Sequence, residues 1–132
     1  MEQYKYLSQE WAAEAERRLQ RDLTPEKMKH LTSSMITVYT HCPDGLERAV
    51  YYRLVDGVVE QVSLHEGELP QAEFSITGDY ETFARISQAE LKARAALMSG
   101  KMTLKGNLVK ALRLAPVVDR LNEVLATIPT EY

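Results

Sequence analysis

The stretch from Gly100 to Leu114, GKMTLKGNLVKALRL, restricts the fold of this chain more tightly than any other segment. Gly100 is placed to stop a short helix running from about Glu90 to Met98, because glycine takes the left-handed turn that ends a helix. Lys101 to Lys105 then alternates polar and apolar residues, the period of a strand. Met102 and Leu104 point inward on that strand, and the lysines and Thr103 point outward. Gly106-Asn107 ends it, and Asn107 is placed to cap a following helix. Gly100-Lys101-Met102-Thr103 looks superficially like a phosphate-binding loop. Such a loop needs an earlier glycine and leads into a helix, so that reading is rejected.

The rest of the chain supplies the partners for this unit. Leu7, Trp11, Ala15 and Leu19 recur every four residues, predicting an amphipathic helix over about 5–22. Ser8 can cap it, which would delay its start by a turn. Pro25 stops it. Met35 to His41 is rich in β-branched and aromatic residues, and Pro43-Asp44-Gly45 follows as a turn. Ala49 to Val55 and Val58 to Leu64 flank Asp56-Gly57, a dipeptide diagnostic of a tight hairpin. A two-residue loop there sets Arg53 opposite Glu60 and puts Val50, Tyr52, Leu54 and Val59 on the core side. Tyr51, Val58, Val62 and Leu64 then lie on the other face, and a bulge would swap these assignments.

Phe74-Ser75-Ile76 predicts a short strand. Thr77-Gly78-Asp79 offers cap chemistry for a helix carrying Tyr80, Phe83 and Ala84. Pro116 is read as starting a separate last helix, whose apolar face is Val117, Leu121, Val124, Leu125 and Ile128. The order is helix, three-strand meander, strand, two helices, strand, two helices. That is an α+β fold with helices packed on one face of one sheet, and residues 1–132 form a single domain.

Composition narrows the function classes. The single cysteine, Cys42, cannot form an internal disulfide, which favours a reducing, cytoplasmic setting. No apolar run is long enough for a membrane helix, and the N-terminus lacks a secretory pattern. Residues 34–82 carry two basic and nine acidic side chains, whereas residues 83–132 carry eight basic and four acidic. The basic third suits a transient anionic membrane surface. The acidic whole, with a net charge of −3, and the scarcity of aromatics in the basic third argue against nucleic acid.

Catalytic chemistry finds no foothold. His41 and Cys42 are adjacent, and neighbours on a strand point to opposite faces, so they do not form an activated thiol pair. His30, His41 and His65 lack metal-ligand spacing, and no second cysteine joins them. No cofactor, metal or catalytic residue is expected. An enzyme using Cys42 is the least favoured of three readings.

From Phe74 onward the chain resembles the sterol carrier protein type 2 domain family of lipid-transfer proteins. The residues carrying this are AEFSITGDYETFARIS at 72–87 and AALMSGKMTLKGNLVKALRL at 95–114. A weaker match extends the resemblance over about 30–118, and the Trp11 helix looks like that of bacterial stand-alone members. The resemblance implies a five-stranded sheet and helices enclosing an apolar tunnel for fatty acid, fatty acyl-CoA or sterol-like lipid. On that reading Phe83, Ile86, Leu97, Met98, Met102, Leu104, Leu108, Leu112, Val117 and Leu121 form its ligand-binding wall. Two departures stand out: Ala89 replaces a usual glycine, and Ala93 replaces a frequent proline. Both substitutions favour continuing a helix through that region. The competing reading is a protein-interaction or regulatory module that keeps the fold without ligand transfer. Either a monomer or a homodimer is compatible with the sequence.

Overall fold

The computed structural model describes residues 3–132, with the side chain of Leu108 excepted. Two short strands, β1 (Tyr4–Lys5) and β7 (Thr130–Glu131), pair in parallel and bring the two ends of the chain together. The main sheet has the order β4-β3-β2-β5-β6. Its strands are β2 (Ser33–Thr40), β3 (Arg48–Val55), β4 (Val58–His65), β5 (Phe74–Asp79) and β6 (Met102–Lys105). The helices are α1 (Gln9–Asp22), α2 (Tyr80–Ser87), α3 (Ala93–Met98) and α4 (Leu108–Leu125). This is the α+β architecture with five strands that the sequence predicts.

Helix α1 starts late, at its cap. Ser8 is extended and its hydroxyl accepts from the backbone N–H of Trp11 at 3.1 Å. Trp11, Ala15 and Leu19 are then fully buried on one stripe against β4 and α4. Asp79 caps α2 in the same way, accepting from the N–H of Thr82 at 2.8 Å. The side chain of Thr82, and then that backbone hydrogen bond, hold the Asp79 carboxyl below its ordinary range. Asn107 caps α4 through two N–H groups, those of Val109 and Lys110. Gly106, just before it, has φ +138, and a Cβ there would lie 2.7 Å from the Phe74 ring. Only glycine lets β6 turn into α4 this close to β5.

The hairpin of β3 and β4 corrects the expected register. Val55 pairs with Val58 and Leu54 with Val59, as a two-residue loop requires, but a bulge then shifts Arg53 opposite Gln61. Past the bulge Val62 pairs with Tyr52 and Leu64 with Val50. Val62 and Leu64 therefore belong to the core face and not to the outer one. Arg53 still reaches Glu60, at 3.6 Å, without facing it across the ladder.

Two helix expectations also fail. Pro116 lies inside α4, which runs unbroken from Leu108 to Leu125 instead of forming two helices. The carbonyl of Leu112 loses its usual helical partner, since proline has no N–H. Leu112 lies on the exposed side, 77% accessible, where water can serve that carbonyl. Conversely, the chain does not stay helical through Ala89. Helix α2 stops at Ser87, and Ala89 takes a left-handed φ of 61°. The N–H of Ala89 donates to Ile86 at 3.0 Å and that of Glu90 to Arg85 at 2.8 Å. These are the two bonds of a glycine-type helix stop, formed here by alanine. Satisfying the last carbonyls of α2 outweighs the helix propensity of Ala89. Ala93 begins α3 after an extended Lys92, the place where proline would also fit.

The strained alanine gives a direct test. Ala89→Gly should stabilise the protein by about 1 kcal/mol, because left-handed geometry costs alanine more than folding costs glycine. A raised thermal midpoint is expected, and an unchanged or lowered one would contradict the assignment.

Candidate functional site

Alternation along the strands brings one set of side chains to the helix-covered face. Met35, Thr37 and Tyr39 on β2 sit beside Tyr52 and Val50 on β3 and beside Phe74, Ile76 and Gly78 on β5. Met102 and Leu104 on β6 extend the same rows. Above this face the main close backbone contacts of α4 are with α1 and α2. The side chains it lowers toward the strands include Ala111 and Ala115, one turn apart and therefore stacked on one face. Small residues on a helix held away from a sheet leave space.

That space is an apolar cavity of about 460 Å³ between α3, α4, β5 and β6. Its walls include Phe74, Ile76, Leu97, Leu104, Ala111, Leu114, Ala115 and Val118. The volume lies within the range of pockets that hold drug-sized ligands, roughly 300–1,000 Å³. Arg94 and Asp119 stand at its edge, 3.9 Å apart and more than half exposed on the arginine side. A smaller chamber of about 40 Å³ lies deeper, and Met35, Ile76, Ala93 and Val118 line both spaces.

The inner chamber differs in chemistry. Its wall includes Tyr6, Thr37, Tyr39, Tyr52 and Ser87 as well as Phe83, Ile86, Met102 and Leu121. Tyr6, brought in by the short β1, packs its ring on Trp11 at 5.1 Å and on Tyr132 at 4.9 Å. The Tyr39 ring packs at a tilt against Phe83, with centroids 4.3 Å apart. The Tyr132 hydroxyl donates to Ser87 Oγ at 2.7 Å, so the C-terminus closes this end. Burial pushes the phenols of Tyr6 and Tyr52 well up and raises that of Tyr39, so all three stay neutral at physiological pH.

The residues singled out in the sequence separate into groups. Phe83, Ile86, Met102 and Leu121 line the inner chamber, and Leu97, Met98, Leu104 and Leu112 line the outer cavity. Val117 is buried but lines neither space. The side chain of Leu108 lies outside the described residues. Sequence reasoning missed the alanines, which make room by what they lack, and the phenols, which are scattered over the chain. Seven tyrosines against two phenylalanines was the available sign of an unusual core. Cys42 is buried, with its thiol 3.5 Å from the Tyr39 carbonyl, while the ring of His41 bonds to Thr40. Among the described residues no group of three His, Cys, Asp or Glu could hold a metal ion. None of their helices is long and apolar enough to cross a membrane.

The fold recurs in solved structures. A crystal structure of sterol carrier protein 2 has a TM-score of 0.82 at 23% identity, covering 94% of this chain and 99% of its own. A conserved hypothetical protein of Thermus thermophilus, described as possibly a sterol carrier protein, has a TM-score of 0.79 at 23% identity, covering 99% and 94%. Palmitated SCP2L2 from Aedes aegypti has 0.60 at 19% identity, covering 82% and 90%. These TM-scores establish a common fold, and identities this low establish no more than the fold. No curated protein matches the chain significantly in sequence. The model of the SCP-2 sterol transfer family, however, matches residues 13–119, from within α1 to within α4. Since that span holds most of the wall around both spaces, the fold and the family agree, and the chain belongs to the SCP-2 sterol transfer family.

Proposed function

We propose that this protein carries an apolar small molecule, of the fatty acyl or sterol-like class, in the space beneath α4 and does no chemistry on it. The observation that carries the reading is the 460 Å³ cavity with an almost wholly apolar wall. Apolar wall of that extent left to water costs a domain the free energy of burial, about 25 cal/mol per Å². A resident ligand removes that cost. The neighbouring palmitated SCP2L2 supports an acyl ligand by analogy of fold. The buried free thiol of Cys42 suits a reducing, cytoplasmic setting.

Delivery follows from the rim. Met98, Val109 and Leu112 are 84%, 66% and 77% exposed, an unusual set for a monomer surface. Met98 and Leu112 also line the outer cavity. Lys101, Lys105, Lys110 and Arg113 lie on or beside the same elements, and Lys110 is paired with Glu73. Apolar tips ringed by cations suit an anionic membrane, into which the tips insert while the cations meet phosphates. Loading and release then happen where the mouth meets the bilayer.

Two measurements test these statements. Incubation with fatty acids, acyl-CoA and sterols, followed by native mass spectrometry, should reveal one-to-one complexes with an acyl or sterol class. A chain that retains none of them contradicts the carrier reading. Binding to vesicles containing phosphatidylserine should weaken as salt rises, because exposed charges are screened over about 10 Å at 0.1 M. Leu112→Glu should lower vesicle binding at every salt concentration. Salt-independent binding, or none, removes the membrane step while leaving the ligand site standing.

A further inference from the structure

The two spaces under α4 meet at a ring of side chains. Met35 rises from β2 and Ile76 from β5, while Ala93 comes from the start of α3 and Val118 from α4. All four line both the outer cavity of about 460 Å³ and the inner chamber of about 40 Å³. The ring is therefore where the large space gives way to the small one.

Its members are not equal. Ile76 and Val118 are branched at Cβ, which restricts χ1. Ala93 has no rotamer to change. Met35 is unbranched, with three rotatable bonds and a polarisable thioether that adapts to what it touches. Its backbone is fixed on both sides by pairing with Tyr52 and Phe74, which leaves the side chain as the adjustable part. Met35 is also buried, 7% exposed, so the thioether is part of the wall and not of the surface.

The wall changes chemistry at the ring. Outside it the lining is almost wholly apolar, with Phe74, Leu104, Leu114 and Ala115. Inside it the hydroxyls of Thr37, Tyr39 and Tyr52 join the lining. A polar-walled space of about 40 Å³ has room for water, which needs about 10–15 Å³ and hydrogen-bonding partners. An alkyl end that passes the ring displaces such water and offers nothing polar in return. Among the described residues no Lys, Arg or His lines the inner chamber, whereas Arg94 stands at the outer edge. A carboxylate carried inward would be desolvated without a cation, so an acyl chain enters methyl-first.

We propose that Met35 is the stop that sets the length of chain this protein accepts. The chain fills the outer cavity and ends against the Met35 thioether, with Ile76, Ala93 and Val118 completing the ring. The stop rests on the carrier reading and adds to it the residue that decides which cargo fits.

Competition binding of the even-numbered saturated acids from octanoate to stearate, each below its micellar concentration, tests the stop. In the native protein affinity should rise about fourfold for each added methylene, the worth of burying one, and then level off. Met35→Ala opens the ring, so the levelling should move to a longer acid by at least one member of the series. Met35→Leu conserves volume and should leave it in place. A native series that never levels off, or levelling at the native length in Met35→Ala, overturns the stop and leaves the carrier reading intact. No binding of any acid to the native protein overturns both. A second measurement needs no variant. The longest acid of the rising series, labelled with carbon-13 at its terminal methyl, should give nuclear Overhauser contacts from that methyl to the side chains of Met35 and Val118. Contacts to the rings of Tyr39 and Phe83 instead would put the chain end beyond the ring and overturn the proposal.

Discussion

The structure depends on helix α4, which is anchored at both ends and packs between them on α1 and α2. At one end of α4, Asn107 caps the first turn and Gly106 lets the chain leave β6 directly over Phe74. At the other, Arg18 of α1 donates to the Thr127 carbonyl at 2.6 Å, just beyond the last turn. Arg18 is itself braced by the buried Glu14, at 3.1 Å. Between these anchors α4 keeps its close contacts with α1 and α2 and offers the sheet small residues. A helix pressed on the sheet along its whole length would expel the space beneath it. Anchors at the ends and packing on α1 and α2 keep the gap open without leaving the helix loose.

The two ends of the space then acquire different chemistry from their surroundings. The outer end lies among α3, α4 and β6, where the chain is basic and apolar side chains reach solvent. The inner end lies where the chain termini meet, and there the aromatic packing of Tyr6, Trp11, Tyr39 and Tyr132 seals it. Polarity is thus placed inside and at the rim, with apolar walls between. Such a distribution orients an amphiphile, which a uniformly greasy pocket would not.

Much of this was legible in the sequence because it was local. Ser8, Asp79 and Asn107 announce helix starts by their own side chains, and Gly100, with φ +80, ends α3 by its own backbone freedom. What was not legible depends on partners. The bulge between Arg53 and Leu54 is set by how β4 meets the core, so alternation alone put Val62 on the wrong face. Ala89 ends α2 because carbonyls upstream need donors, against its own preference. Pro116 is tolerated inside α4 because the carbonyl it deprives lies on the exposed side. The cavity is least legible of all. Large apolar residues draw attention in a sequence, yet Ala93, Ala111 and Ala115 decide how much room remains.

The central claim is that the gap under α4 exists to be filled by a ligand. Ala115→Trp places an indole in that gap and tests the claim most directly, with ligand retention and thermal unfolding measured on the same sample. The account predicts a folded protein whose thermal midpoint is equal or higher, because the space is filled, and whose lipid retention is abolished. A folded Ala115→Trp protein that still retains lipid at the native level would contradict it.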